Sequence, residues 1–297
     1  MLEVILLGLF ELLLSTKMNK TMTWEDAVKW LKEQPSQQEL VKQCYYDDPL
    51  ESAAERFSSS DEWLAVKDLL SGFIPGKVLD LGAGRGISSY AFAKLGCEVI
   101  ALEPDQSSIV GAAAIKSLVE TTRLPISVVT EYGETLPFAD NYFDIVYGRA
   151  VLHHAIDLAK FCSESARVLR KGGLFIATRE HVISRRQDLQ LFLNSHPLHR
   201  LYGGENAYLL KEYMEAIKAA GLDINRVVGP LASAVNYAPM TCQEFKLMLT
   251  SLLAERIGSK VAELLASNRL VQELLGYYLS RKSDNPGRLF SFQAVKI

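Results

Sequence analysis

Three glycines and an acidic residue could bind a ligand in the stretch KVLDLGAGRGISSYAFAKLGCEVIALEPD. Gly82, Gly84 and Gly86 follow an apolar run, and glycines at such a turn let a ligand lie against bare backbone because no Cβ intervenes. Glu103 ends the next apolar run, where a carboxylate can accept hydrogen bonds from both hydroxyls of a ribose. These residue types, in this order, predict a site for an adenosine-containing ligand.

The same glycine spacing argues against two other nucleotide sites. The dinucleotide fingerprint GxGxxG would need a glycine where the chain has Ile87, and no GxxxxGK sequence followed by Ser or Thr indicates a phosphate-binding loop. Asp80, just before the turn, can accept hydrogen bonds from loop N–H groups or meet a ligand ammonium group. Glu103 could instead cap the next helix, but the order of strand, glycine turn, helix, strand and acid favours ligand binding.

Histidines and an acid after two later apolar runs could do acid–base chemistry. His153 and His154 follow one run, and Glu180 and His181 follow the next. Ligands of open parallel sheets lie outside the carboxyl ends of the strands, where these residues fall. His154 is favoured over His153 as a base, although packing or backbone hydrogen bonding is the alternative for either. For His181, a role in the substrate site and a role in a polar loop both remain open.

A second histidine pair, in the sequence HPLH, does not have convincing metal-site spacing. His196 and His199 could join His181, but a fourth ligand is not evident and Pro197 disturbs a helical face. We therefore predict no metal site. Residues 181–205 are interpreted as a polar, irregular lid.

Alternating strand and helix patterns must position these residues. The pattern is typical of an α/β fold, a doubly wound Rossmann-like sheet with crossover helices. Strands are predicted at 77–81, 97–102, 126–130, 143–148 and 173–179, with helices at 86–95, 106–120 and 157–170. Helices are also predicted at 23–43, 50–71 and across most of 240–284, and the glycines of LRKGG are predicted to end the helix before the fifth strand.

Composition and charge restrict the class of protein. The chain has 297 residues and a net charge of −3, which gives no basic signature for nucleic acid. Its four cysteines form no CxxC pair, so buried reduced thiols and a cytoplasmic location are expected. The apolar N-terminus contains Glu3 and Glu11, lacks a basic start and is too short to span a bilayer, so we expect no stable membrane insertion.

Longer stretches of the sequence resemble one enzyme superfamily. VLDLGAGRGISSYAFAKLGCEVIALEPD resembles motif I and the second-strand acid of the class I S-adenosylmethionine-dependent methyltransferases. GETLPFADNYFDIVYGRAVLHH and ESARVLRKGGLFIAT are similar to segments of the methyltransferase type-11 and ubiquinone/menaquinone methyltransferase group. The resemblance covers about residues 50–180. It implies a seven-stranded, mostly parallel sheet with an antiparallel last strand, and S-adenosylmethionine as the cofactor, with S-adenosylhomocysteine as product.

The resemblance also implies roles for individual residues. The glycine loop would bound the methionine and ribose side of the cofactor, and Arg149 would lie beside the sulfonium. Relatives place an acid for the adenine amine where this chain has Tyr132; Gly133 or Glu134 could replace it, or Tyr132 could cover the ring, and Glu134 has the alternative of capping a helix. The implied cofactor-binding set is Asp80, Gly82, Ala83, Gly84, Gly86, Glu103, Pro104, Asp105, Gly133, Glu134 and Arg149.

The predicted reaction is in-line transfer of a methyl group to a small-molecule acceptor. A general base is needed only if the acceptor must lose a proton. Methylation of RNA or protein, and noncatalytic binding on the same fold, remain alternatives, as does a homodimer. The candidate catalytic residues are His154, His153 and His181, and the candidate substrate-binding residues are Tyr45, Tyr46, Glu180, Tyr202, Tyr208 and Tyr237.

Five regions are predicted along the chain. They are an N-terminal extension (1–22), an N-terminal helical lid (23–71), a cofactor-binding core (72–180), a substrate and lid region with a helical insertion (181–286) and a final core strand (287–297).

Overall fold

Short runs of β-branched and apolar residues form the parallel centre of one sheet. The computed structural model describes residues 22–297. The first five strands are β1 (Lys77–Leu81), β2 (Glu98–Leu102), β3 (Ile126–Val129), β4 (Phe143–Arg149) and β5 (Leu169–Ile183). They pair in parallel in the order β3-β2-β1-β4-β5, so β1 lies between β2 and β4. The carboxyl ends of all five strands therefore meet at one edge of the sheet.

The last part of the chain completes the sheet on the side of β5. The remaining strands are β6 (Tyr208–Leu209), β7 (Leu222–Val228) and β8 (Arg288–Lys296). β8 lies between β5 and β7 and is antiparallel to both, which confirms the predicted antiparallel last strand. The short β6 pairs with β5 outside the main order and is the one strand added to the seven expected.

Helices cover both faces of the sheet, as a parallel sheet with crossover connections requires. The core helices are α5 (Ile87–Lys94), α6 (Ala112–Thr122), α7 (Leu158–Val168) and α10 (Leu210–Ala219). One apolar layer joins α5 and α6 to the N-terminal helices, and the other joins α7 and α10. The prediction that a helix starts at 106 was wrong, because 106–111 is irregular; the helix predicted to end in LRKGG instead stops at Val168.

In the described part of the chain, four helices precede the first strand, and we call them the N-terminal cover. They are α1 (Trp24–Glu33), α2 (Gln38–Gln43), α3 (Leu50–Ser58) and α4 (Asp61–Leu69), with a 3-10 turn at Pro35–Gln37. The single helix predicted over 50–71 was wrong. The first helix ends at Ser58, and Ser60 caps the next one, because its hydroxyl accepts the Trp63 N–H at 3.1 Å. The apolar N-terminal extension lies outside the described residues.

The histidine-rich segment is more regular than predicted. β5 continues to Ile183 because β8 pairs with it as far as Val182, so His181 lies in a strand rather than in an irregular lid. Two short helices follow, α8 (Leu189–Ser195) and α9 (Pro197–Tyr202), and Pro197 begins a helix instead of disturbing one. The other 3-10 turns are Leu152–His154 and Arg186–Asp188.

The helical insertion before the last strand is confirmed. It contains α11 (Ala234–Tyr237), α12 (Cys242–Ile257), α13 (Ser259–Ala266) and α14 (Arg269–Lys282). Phe245 and Leu249 anchor it in a small apolar cluster of its own. Within residues 22–297, every helix is too short or too polar to cross a bilayer.

Candidate functional site

The glycine loop between β1 and α5 has the backbone conformation that its composition predicts. Gly82, Gly84 and Gly86 have φ angles of +58°, +54° and +84°, in the left-handed region that disfavours side chains. A Cβ on Gly82 would lie 2.3 Å from Cγ2 of Val151, whereas a Cβ on Gly84 would meet nothing closer than the Val110 carbonyl at 3.8 Å. The loop is therefore closed on one side and has room for a ligand on the other.

Glu103 lies at the end of β2 with its carboxylate turned to the glycine loop. Its two oxygens accept the N–H groups of Gly84 at 2.7 Å and Asp105 at 2.9 Å. Burial raises the pKa of Glu103 to about 7, although these two hydrogen bonds act in the opposite direction. Each carboxylate oxygen keeps a second lone pair, so the group can still accept the hydroxyls of a ribose.

Asp80 supports the loop from within the core. Its side chain is buried and accepts the Ser89 hydroxyl of α5 at 2.6 Å, and burial raises its pKa to about 7. The Ala83 N–H donates to the Leu102 carbonyl at 3.0 Å and ties the loop to β2. These contacts hold the loop in place and agree with a supporting role for Asp80.

Arg85, inside the glycine loop, is a structural residue that the sequence analysis missed. Its buried guanidinium donates to the carbonyls of Tyr45 at 2.9 Å and Asp47 at 3.1 Å, and to Oδ1 of Asp48 at 2.5 Å. The N-terminal cover is thus docked directly on the loop. The only signal was a basic residue among the glycines, and its partners about 40 positions earlier could not be inferred.

Arg149, at the end of β4, is turned towards the N-terminal cover. Its Nε and Nη2 donate to the two carboxylate oxygens of buried Glu62 at 2.6 and 3.0 Å, and its guanidinium lies 5.7 Å from the ring centre of Tyr45. Burial would raise the pKa of Glu62, but Arg149 and Arg179 hold it below its usual value. In this arrangement Arg149 joins the cover to the sheet, and its predicted contact with the cofactor stays a prediction.

The adenine side of the predicted site differs from the expected acid pattern. Tyr132 is 60% exposed. The Glu134 carboxylate accepts the Ile156 N–H at 2.9 Å just before α7, whose N-cap is Asp157. Gly133 faces the Phe161 ring so closely that a Cβ would lie 2.1 Å from it. Asp105, which follows Pro104, uses Oδ1 to accept the Ser107 N–H at 2.7 Å.

Glu180 and His153 form a buried pair at the ends of β5 and β4. Oε2 of Glu180 accepts the His153 N–H at 3.1 Å and lies 2.7 Å from His153 Nδ1, while Oε1 accepts the Val151 N–H at 3.1 Å. Both side chains are fully buried. The predicted closeness of these residues is present, and Glu180 fixes the position of the imidazole.

One cluster contains every histidine of the chain. The ring centres of neighbouring histidines lie 4.3 to 5.8 Å apart, and Phe192 packs between two of them. The members are His153, His154, His181, His196 and His199. We call this set the histidine cluster; β4, β5 and the two short helices bring it together.

Glu205 enters the histidine cluster from the segment after α9. Its Oε1 lies 3.0 Å from His153 Nε2 and 3.9 Å from His154 Nε2, and its Oε2 lies 3.7 Å from His199 Nε2. Burial would raise the pKa of Glu205, but the neighbouring histidines hold it well below its usual range. The sequence analysis missed this residue, for which an isolated acid in a histidine-rich segment was the only signal.

The histidines of the cluster differ in the direction in which their pKa values are shifted. Burial would lower the pKa of His153, but the hydrogen bond to Glu180 and the negative charge of nearby Glu205 raise it to about 9. Burial and the neighbouring His153 lower the pKa of His154 to about 4 and that of His181 to about 3. These pKa shifts favour a charged His153 beside neutral imidazoles when the cluster holds no other cation.

Val151 connects the glycine loop to the histidine cluster. Its Cγ2 blocks the Cβ position of Gly82, its Cγ1 lies 2.5 Å from the Cβ position of Gly148, and its N–H donates to Glu180. A ligand in the glycine loop and a second ligand beside the cluster would therefore lie next to each other, at the ends of β1, β4 and β5.

The predicted substrate tyrosines divide into two groups. The rings of Tyr202 and Tyr46 pack against Trp24, with ring centres 5.1 and 6.3 Å away. The Tyr208 hydroxyl donates to the Ala155 carbonyl at 2.9 Å, directly after the 3-10 turn Leu152–His154, which we call the histidine turn. Tyr45 lies over Arg149 as described above. Tyr237 instead stacks on Phe245, with ring centres 4.5 Å apart, in the apolar cluster of the insertion.

Comparisons with known proteins find similarity to methyltransferases. A family model described as a methyltransferase domain matches residues 79–177. A ubiquinone biosynthesis O-methyltransferase from Rhizobium johnstonii is 30% identical over 172 residues, covering 56% of this chain and 66% of that protein. A ubiquinone biosynthesis O-methyltransferase from Rhizobium rhizogenes is 29% identical over 168 residues, covering 55% and 64%. The matches thus span just under two thirds of these relatives.

Solved structures share the fold at low sequence identity. Geranyl diphosphate C-methyltransferase from Streptomyces coelicolor A3(2), in complex with Mg²⁺, geranyl diphosphate and S-adenosyl-L-homocysteine, has a TM-score of 0.56 and 15% identity, covering 84% of this chain and 85% of that one. A geranyl diphosphate methyltransferase in complex with S-adenosylmethionine has a TM-score of 0.56 and 17% identity, covering 84% and 92%. The fold is thus that of the Rossmann-like methyltransferases, and residues 79–177 resemble a methyltransferase domain.

Proposed function

We propose that the chain binds S-adenosylmethionine in the glycine loop and transfers its methyl group to a small-molecule acceptor beside the histidine cluster. The observation that carries the proposal is the Glu103 carboxylate, which is bonded to the Gly84 N–H at the open side of the loop. The match of residues 79–177 to a methyltransferase domain and the neighbours bound to S-adenosylmethionine or its product support this choice of ligand.

The residues at the strand ends fit this cofactor. Glu103 can accept the ribose hydroxyls through its remaining lone pairs, and the uncrowded Gly84 leaves room for the chain that carries the sulfonium. Pro104 and Asp105, directly after Glu103, would border the adenine. When bound, the cofactor supplies an electrophilic methyl group; the protein has to align the acceptor with it and exclude water.

The acceptor would lie against the histidine turn, next to Val151. His154 is the accessible member of its pair, with 35% of its side chain exposed against 2% for His153. We propose His154 as the group that takes a proton when the acceptor is a hydroxyl or an amine, and His153 as a positioning residue held by Glu180. Tyr202 and Tyr208 would form part of the pocket wall.

Turnover of isotope-labelled cofactor tests the proposed function. The full chain is incubated with S-adenosylmethionine carrying a labelled methyl group and with fractionated small-molecule extracts, and S-adenosylhomocysteine is measured by mass spectrometry. We expect labelled product from at least one fraction, and a large loss of turnover in His154→Gln without weaker cofactor binding. Cofactor binding with no turnover on any fraction would favour the noncatalytic alternative, and label on added RNA or protein would favour a macromolecular acceptor.

A further inference from the structure

The donor atoms of the histidine cluster are of the kinds that transition metals prefer. Imidazole nitrogen and carboxylate oxygen suit Zn²⁺ and Fe²⁺, whereas Mg²⁺ prefers oxygen ligands alone. His153 comes from the turn after β4, His181 from β5 and Glu205 from the segment after α9. Three separate parts of the chain thus direct such donors at one point.

We propose that His153, His181 and Glu205 form a binding site for a divalent transition metal ion of the Zn²⁺ type. One donor atom from each side chain lies within 4.8 Å of the other two. Bonds of about 2.0–2.2 Å to one ion place ligand atoms about 3–4 Å apart. The 3.0 Å between His153 Nε2 and Glu205 Oε1 already meets this spacing, and an approach of about 1 Å by His181 would complete it.

The second nitrogen of each histidine is already fixed, as in established metal sites. His153 Nδ1 lies 2.7 Å from the Glu180 carboxylate, and His181 Nδ1 lies 2.9 Å from the Gly287 carbonyl. Histidine ligands almost always donate their other ring N–H to a carboxylate or a carbonyl, which fixes the tautomer and leaves Nε2 for the metal. Both rings are therefore prepared for coordination through Nε2.

Glu205 supplies an independent observation. Its side chain is only 4% exposed, yet within residues 22–297 no hydrogen bond reaches Oε1. His153 Nε2 is close to this oxygen but its N–H is not directed at it, a geometry that suits two ligands of one ion better than a donor and its acceptor. A buried carboxylate oxygen without a partner is costly, and a cation would satisfy it.

Charge balance leads to the same conclusion. Glu180 and Glu205 bring two buried carboxylates to the cluster, and a divalent ion would neutralise both. A protonated His153 between the two acids is the competing arrangement. It accounts for part of the charge, but for neither the partnerless Oε1 nor the orientation of His181.

Three protein ligands would leave positions open on the ion, as in catalytic metal sites. Because Val151 packs against Gly82 and directly precedes the histidine turn, an acceptor oxygen bound to the ion would lie beside the methyl donor. The ion would lower the pKa of that oxygen and favour its attack on the methyl group, as the proton leaves for water or a nearby base. This role rests on the proposed methyl transfer; the metal site itself does not.

Calorimetric titration with Zn²⁺ tests the site. The full chain, purified without a histidine tag and treated with a chelator, is titrated with Zn²⁺ and separately with Mg²⁺. We expect one equivalent of Zn²⁺ to bind and no saturable binding of Mg²⁺. Glu205→Gln and His181→Gln should each weaken Zn²⁺ binding at least about 100-fold, because each removes a ligand.

His196→Gln is the matched control. His196 belongs to the same cluster, but its Nδ1 accepts the Leu198 N–H and it is not among the three ligands, so Zn²⁺ binding should stay within about 3-fold of wild type. Circular dichroism of each variant verifies folding, and either ligand variant is sufficient if the other does not fold. Absence of Zn²⁺ binding by the folded wild type, or equal losses in all three variants, would overturn the proposal.

Titration of the same samples with S-adenosylmethionine separates the two proposals. Zn²⁺ binding without cofactor binding would contradict the proposed function and support the metal site. Cofactor binding without Zn²⁺ binding would support the proposed function and contradict the metal site.

Discussion

The glycine loop fixes its ligand-facing groups through backbone conformation, whereas the histidine cluster is held by side chains from separate segments. In the loop, left-handed glycines and N–H groups surround Glu103 within one strand–helix–strand unit. In the cluster, Glu180 and Glu205 approach His153 from segments that lie far apart in sequence. Different substitutions should therefore disrupt the two regions. Addition of a Cβ should disrupt the glycine loop, and removal of a carboxylate should disrupt the histidine cluster.

Removal of the Glu180 carboxylate should have the largest effect on the cluster. Glu180→Ala would leave the Val151 and His153 N–H groups and the His153 ring without their buried acceptor. We expect the free energy of unfolding to fall by about 3–5 kcal/mol, because a buried charged partner is lost. Urea denaturation measures this, with exposed Glu263→Ala on α13 as a control that should change stability by less than about 0.5 kcal/mol. A similar small loss in both variants would contradict the account of the cluster.

Addition of one Cβ should break the loop. Gly82→Ala combines a left-handed φ with a contact of 2.3 Å to Val151, so we expect a loss of about 2–4 kcal/mol and much weaker cofactor binding. Gly72→Ala is the matched control: it has φ +86° but no atom within 4 Å of its Cβ position, so only the backbone cost of about 1–2 kcal/mol applies. Val151→Ala combined with Gly82→Ala should recover part of the difference. An equal loss in the two single variants would show that the close packing on Val151 is unimportant.

The pH dependence of stability tests the role of Asp80 beneath the glycine loop. Burial raises the folded-state pKa of Asp80 to about 7, above the unfolded value of 3.8. Its contribution to stability is therefore full below about pH 4 and is lost as the pH rises through 7. Asp80→Asn removes this loss, so the variant should match wild type near pH 4 and be more stable at pH 8, by about 4 kcal/mol. Denaturation midpoints at both pH values measure the difference; an equal gain at both would contradict this account of Asp80.

The same contrast explains what the sequence could predict. β1, α5 and β2 follow from local patterns, and strand 77–81 was predicted with its observed bounds because apolar runs and glycines act over a few residues. Glu103 belongs to that local unit and was predicted with it. The continuation of β5 through His181 was missed because it depends on pairing with β8 more than 100 residues later.

The partners of several charged residues also could not be predicted from the sequence. Arg85 reaches carbonyls of the N-terminal cover, Arg149 reaches Glu62, and Glu205 reaches His153. None of these pairs has a fixed sequence spacing, since packing of the cover and of the two short helices brings the side chains together. The histidines and Glu180 indicated chemistry in the sequence, while Glu205 became visible as a member of the cluster only in the folded chain.

The most direct test of the central claim is calorimetric titration of the wild type, Glu103→Gln and Glu98→Gln with S-adenosylmethionine, with NADH as comparator. Glu98 is an exposed acid on the same strand and serves as the matched control. We expect the wild type and Glu98→Gln to bind S-adenosylmethionine and not NADH. Glu103→Gln should bind at least about 10-fold more weakly, because an amide replaces one of the two acceptor oxygens. Equal affinity in Glu103→Gln, or binding of NADH in place of S-adenosylmethionine, would contradict the account.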